Sequence, residues 1–189
     1  MSIATAMAGD KDKEAFQPGP ATSYPGHQTA QKITIAAIPY TSEEQTKAAF
    51  GKVDPNKYGI LPVLVVLQND TGKALRLDLK ADFVDSANHN LVSVPPGDVV
   101  LLDGSLKDGW KLPAPSRLPF PRKKKKGPLN TWQIEGRAFN AHLVPPGDSV
   151  HGFFYFETSN QPGAHLYLDG ISDAASGKQY FYFEVPLTK

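Results

Sequence analysis

Cysteine is absent from the 189 residues. That removes disulfides, thiolate zinc sites and cysteine nucleophiles, without fixing the compartment. Long apolar runs are missing too: no stretch approaches the ~18–20 residues that a membrane-spanning helix needs. Net charge is nearly missing, and a formal value of +1 offers no global attraction to nucleic acid or to an anionic membrane. The familiar signatures of catalysis are lacking as well. There is no Gly-x-Ser-x-Gly elbow, no Walker loop and no dinucleotide fingerprint. The serines lie mostly in turn clusters, where they act as turn formers, and no two carboxylates single themselves out as an acid–base pair. Together these absences argue against an enzyme and against a bound cofactor.

What the chain does have is punctuation. Sixteen glycines and 17 prolines favour many short strands over long helices. The most informative stretch is the apolar run Ile60 to Leu67, rich in β-branched residues and closed by Asn69-Asp70-Thr71-Gly72. Its length and its terminating turn predict a strand covered on both faces. Leu75, Leu77, Leu79, Ala81 and Phe83 alternate directly after it and provide a partner. Further strands are predicted at 32–38, from 91 to 94, over 131–143 with a bulge near Gly136, and at 150–157, 165–168 and 179–185. Ser42-Glu43-Glu44-Gln45 reads as a helix start capped by Thr41 or Ser42, with the helix ending at Gly51. The expected architecture is all-β. It is an immunoglobulin-like or fibronectin-like β-sandwich of 7–9 strands with one short helix (about 42–50) and no disulfide. Residues 1–30, broken by Pro18, Pro20 and Pro25, are expected to form a disordered or surface-lying tail. Residues 31–189 would form a single domain, with a Pro/Lys-rich insertion at about 104–130.

Four features invite a functional reading. The first is an internal echo: Val94-Pro95-Pro96-Gly97-Asp98 recurs as Val144-Pro145-Pro146-Gly147-Asp148, which predicts one kind of corner used twice. The second is a histidine pair. If 144–149 closes a hairpin, His142 and His151 face each other across it, near enough to share a metal that Glu157 or His165 would complete. The alternative is two half-exposed histidines beside a corner that crosses between sheets. Third, residues 111–128 hold prolines at 113, 115, 119, 121 and 128 and seven basic residues without an acid. They end in Arg122, Lys123, Lys124, Lys125 and Lys126, a candidate binding site for an anionic polymer or an acidic partner. Such a loop is also what simple solvation would produce, and no aromatic residue interleaves the lysines to stack on bases. Fourth, Tyr155, Tyr167, Tyr180 and Tyr182 fall on late strands, and Trp110 and Trp132 flank the proline-rich segment. An exposed aromatic face would be a sugar platform or a protein interface, and a buried one ordinary packing.

Ala6-Met7-Ala8 before Gly9-Asp10 has the small-x-small form of a signal-peptidase site, although the apolar segment that should precede it is missing. Phe50-Gly51, Asp54-Pro55, the run Gly59 to Asp70, and Val144-Pro-Pro-Gly-Asp-Ser-Val-His-Gly-Phe-Phe-Tyr-Phe156 resemble uncharacterised bacterial exported or lipoprotein-like β-sandwich proteins. The resemblance covers about residues 31–189. It implies a fold and an exported, periplasmic or cell-envelope location, and it transfers no functional residues. A lipobox cysteine is missing. The expectation is a non-catalytic exported β-sandwich with a binding or envelope-structural role, partnered by an envelope protein or an anionic polymer. A glycan on the aromatic face or a polyanion on the basic loop is the alternative, and a metal-dependent enzyme using His142 and His151 stands third.

Overall fold

The apolar run at 60–67 occupies the middle of the structure. In the computed structural model, which describes residues 16–101, 127–129 and 131–187, this run becomes β3 (Leu61–Asn69). It lies between β2 (Ile33–Pro39) and β7 (Ser149–Phe156), with β1 (His27–Ala30) at the edge beyond β2. A second antiparallel sheet runs β5 (Asn90–Val92), β4 (Leu75–Val84), β8 (His165–Asp173), β9 (Phe183–Pro186). The two-residue β6 (Leu143–Val144) also pairs with the start of β4. Nine strands in two packed sheets make an all-β sandwich. Among the described residues three short α-helices accompany them: α1 (Glu43–Phe50), α2 (Pro96–Val99) and α3 (Trp132–Gly136).

Strand periodicity assigns the faces. Odd-numbered residues of β3 (Leu61, Val63, Val65, Leu67) meet Leu75, Leu77, Phe83, Leu166, Leu168 and Phe183 of the five-stranded sheet in one buried cluster. The even-numbered Leu64 and Val66 point the other way, into a second buried cluster with Phe50, Val99, Ile134, Phe153 and Tyr155. The four-stranded sheet is therefore covered twice, by the second sheet on one face and by helices and loops on the other. That is why β3 reads as a continuous apolar run and not as an alternating one. The helix α1 begins with a reciprocal cap: Ser42 Oγ accepts from Gln45 N at 3.2 Å, and Gln45 Oε1 accepts from Ser42 N at 3.1 Å.

Several expectations need correction. Residues 27–30 belong to the sandwich and not to a tail: they pair with β2, and the Gln28 side chain accepts from Glu184 N of β9 at 2.8 Å, tying the edges of the two sheets together. Polar His-Gln-Thr gives no apolar alternation there to reveal a half-exposed edge strand. The stretch Trp132–Gly136 is helix, not strand. Trp132 and Ile134, two residues apart, suggest one face of a strand, but on the helical turn they point to different sides, so Ile134 is buried and Trp132 is 58% exposed. The two Pro-Pro-Gly copies adopt different conformations. In the first, Pro96–Val99 forms a helical turn that buries Val99 and Val100. In the second, Gly147 takes φ +81° and the chain turns into β7. Hydrophobic residues after the first copy continue a helix, and Ser149-Val150 after the second continue a strand. The Pro/Lys-rich insertion lies outside the described residues for nearly all its length.

Two buried polar groups secure the corners. Asn69 is fully buried. Its Nδ2 donates to the carbonyls of Lys73 at 2.7 Å, Val144 at 3.0 Å and Pro145 at 2.9 Å, and its Oδ1 accepts from Thr71 N and Oγ1. Asp173, its side chain 5% exposed, accepts from Lys73 Nζ at 2.8 Å and from the backbone of Ala175 and Ser176. These bonds, the lysine first, hold its carboxyl well below the usual carboxylate range. A depressed folded-state pKa contributes stability above the unfolded value of about 3.9, and that contribution is lost as pH falls through the folded pKa. The urea midpoint of the protein is accordingly expected to fall below about pH 4. The Asp173→Asn variant, weaker at neutral pH, should show a flatter acid limb. Parallel curves for the two proteins from pH 6 to pH 2 would contradict this.

One close backbone approach shapes the five-stranded sheet. Leu77 faces Ile171 and Lys80 faces Asp169, so β4 has Asp78 and Leu79 where β8 has only Gly170. This is a β-bulge. Gly170 sits at φ +91°, and a Cβ placed there would lie 1.9 Å from the carbonyl oxygen of Asp78.

Candidate functional site

The outer face of the five-stranded sheet is the one broad sheet surface that no second layer covers among the described residues. Alternation sets its composition. Ala81, Phe83, Leu166, Leu168, Phe183 and Val185 point inward, so Asp82, Tyr167, Asp169 and Glu184 point outward. The register aligns Val92, Asp82, Tyr167 and Glu184 in one row across four strands, and Lys80 and Asp169 lie one row further along. Tyr182 stacks on Tyr167 with ring centroids 4.9 Å apart and planes at 24°. Val92 is 68%, Phe181 77% and Tyr182 53% exposed. Three carboxylates surround the stacked pair, and partial burial together with Asp169, Tyr182, Glu184 and Asp82 pushes the Tyr167 phenol up. Among the described residues none of the three makes an ion pair, and Asp82 only accepts from Asn90 Nδ2 at 3.1 Å. The face thus combines two stacked tyrosine rings with three carboxylates and one lysine, Lys80, which lies directly across from Asp169, and such a surface suits planar ligand groups with polar edges.

The other aromatic candidates do not join this face. Tyr155 is buried against the helical layer and donates its hydroxyl to the Ile134 carbonyl at 2.7 Å. Tyr180 is half-buried against the inter-sheet core. Trp132 stands on α3, on the opposite side of the molecule, where the Arg137 guanidinium lies 5.9 Å from its ring and 4.8 Å from that of Phe16. Trp110 lies outside the described residues.

The histidine pair is not assembled either. Residues 145–148 carry the chain from β6, paired in one sheet, to β7, paired in the other, so no hairpin forms. His142 remains an exposed residue whose carbonyl accepts from Leu77 N, while His151 packs edge-on to Phe16. Burial and the nearby Arg137 lower the His151 pKa, against a backbone hydrogen bond with Phe16 that raises it. No group of three or more metal-ligating side chains gathers among the described residues. Glu157 instead lines a polar cleft of about 550 Å³ with Thr41, Asn56, Thr158 and Asn160. Arg122, Lys123, Lys124, Lys125 and Lys126 lie outside the described residues. No described helix is long and apolar enough to cross a membrane.

The sequence offers Tyr167 and Tyr182 without separating them from Tyr155 and Tyr180, and no motif in it singles out Asp82, Asp169 or Glu184. The signal was present in the parity of Leu166/Leu168 and Phe183/Val185.

No family model and no curated protein matches the chain. Among solved structures it is similar to one described as the "Putative ApaA Protein" from Bordetella pertussis, at 12% identity and a TM-score of 0.34, over 86% of this chain and 90% of that one.

Proposed function

We propose that the protein is a non-catalytic, exported β-sandwich of the bacterial cell envelope that acts by binding, through the outer face of its five-stranded sheet. The observation that carries this is the stacked pair of half-buried Tyr167 and exposed Tyr182, with Asp82, Asp169 and Glu184 close by. A stacked pair on neighbouring strands also steadies the sheet, and aromatic side chains concentrate where a surface makes contact. The connectivity supports an immunoglobulin-like or fibronectin-like module: β2, β3 and β7 lie in one sheet and β5, β4, β8 and β9 in the other, with the chain crossing between sheets after β3, after β6 and after β7. The envelope location rests on the export-like N-terminal motif and on the family resemblance.

The reading is tested by co-sedimentation with isolated bacterial envelopes. Wild-type protein is expected in the pellet, and the Tyr167→Ala/Tyr182→Ala double variant in the supernatant with an unchanged circular dichroism spectrum. Equal partition of the two proteins would sink the reading. Release of the bound protein by soluble oligosaccharide would identify the ligand as a glycan, a reading favoured by planar rings flanked by hydrogen-bonding carboxylates. Release by salt would identify a charged partner.

A further inference from the structure

We infer that the aromatic pocket under Phe16, with Arg137 beside it, is a second binding site, for a group that carries an aromatic ring and a carboxylate a few bonds apart. Phe16 fills the ring's half of it. The pocket belongs to the cluster on the helical side of the four-stranded sheet, so it is separate from the Tyr167–Tyr182 face and independent of the role proposed for that face.

Three observations converge on it. The first is the seat. The Phe16 ring packs on Phe153 with centroids 5.5 Å apart, and edge-on to Tyr40 and His151 at 6.3 and 6.2 Å. Three rings so placed give one aromatic group apolar contact on several sides. His151 also hydrogen-bonds the Phe16 backbone, so the seat takes main chain as well as a ring. The second is the cation. The Arg137 guanidinium lies 4.8 Å from the centre of the Phe16 ring and 5.9 Å from that of Trp132. Its Nε and Nη1 are buried without a hydrogen-bond partner, and among the described residues no carboxylate pairs with it. Aromatic rings attract a guanidinium but leave its N–H fork unused, and that fork matches the two oxygens of a carboxylate. Burying such donors without an acceptor is costly, and Phe16 brings no side-chain acceptor. The third is the tether. Phe16 is the first described residue, and Gln17-Pro18-Gly19-Pro20, without helix or strand, separates it from the buried Ala21. Phe16 can therefore leave its seat without opening either sheet.

A ligand that puts its ring in the seat and its carboxylate on Arg137 satisfies both halves. An aromatic residue at the C-terminus of a peptide has this chemistry, and so does a small aromatic acid. Occupancy by Phe16 lowers the apparent affinity by the fraction of molecules in which the seat is open.

The test is calorimetric titration of the full chain with the tripeptide Gly-Gly-Phe and with 3-phenylpropanoate, each against its amide. Phe16→Ala is expected to bind the acids about tenfold or more tightly than the amides, and more tightly than wild type binds them. Wild type should show the same preference at weaker affinity, so the result does not hang on how well the variant folds. Phe16→Ala/Arg137→Gln should lose the preference, and Tyr167→Ala/Tyr182→Ala should leave it unchanged. Tighter binding of the tripeptide would identify a peptide terminus as the source, and tighter binding of 3-phenylpropanoate a free aromatic acid. Acids and amides bound alike, no binding of either to wild type or Phe16→Ala, or a preference that survives the loss of Arg137 would each overturn the inference.

Discussion

Gly170→Ala is expected to destabilise the protein by about 3 kcal/mol or more, lowering the melting temperature by ~6–12 °C for a domain of this size. Two effects act in the same direction. At φ +91° an L-residue is strained, which alone costs on the order of 1–3 kcal/mol. The added methyl would also meet the Asp78 carbonyl oxygen at 1.9 Å. That oxygen is backbone inside a paired strand and cannot swing aside as a side-chain end would. Relief requires opening β4 from β8, the most extensive contact of the five-stranded sheet. A thermal melt of the purified variant decides the matter, and a shift under 2 °C would mean that the bulge is soft.

The second large effect is expected at Asn69. Its Nδ2 group serves three carbonyls, two of them across 75 and 76 residues of sequence, while its backbone accepts from Gly147 N and donates to the Asp148 carbonyl. Asn69→Ala removes the side-chain donors and leaves the buried Val144 carbonyl without its partner. A loss of about 2–4 kcal/mol follows from several net hydrogen bonds plus unsatisfied acceptors. The sharper comparison is Asn69→Asp. The shape is kept, but the donors become oxygens facing three carbonyl oxygens, so the aspartate variant should be no more stable than the alanine one. Chemical denaturation of the three proteins measures this. An aspartate variant near wild-type stability would show that shape, not donation, holds the corner.

These corners also show how far local pattern reaches. The strand at 61–69 was legible because double burial leaves one recognisable signature, an unbroken apolar run of strand length. The helix at 43–50 was legible because its cap is written in adjacent residues, Ser42 and Gln45. Where the deciding contact is distant, local pattern misleads. Nothing near Trp132 says that Tyr155, more than twenty residues on, will bond the Ile134 carbonyl and fix a helical turn. His142 and His151 have hairpin spacing, yet β4 takes β6 and β3 takes β7. The exposed face followed the same logic. Tyr155 and Tyr167 look alike in sequence, and they differ because one lies on a sheet covered twice and the other on a sheet covered once. That distinction exists only after the layers have been assembled.

The twice-covered sheet has a consequence during synthesis. The apolar run of β3 can fold back on β2 as soon as it is made, but its other edge waits for β7, which begins at Ser149, 80 residues after β3 ends at Asn69. At ribosomal rates of ~5–20 residues per second that interval is ~4–16 s. For that time a β-prone, uncharged segment presents an unpaired edge and two bare faces, the features that nucleate pairing between nascent chains. Residues 61–67 are therefore where a holding chaperone would need to act, and the passage from ribosome to β7 is the most hazardous part of this protein's life.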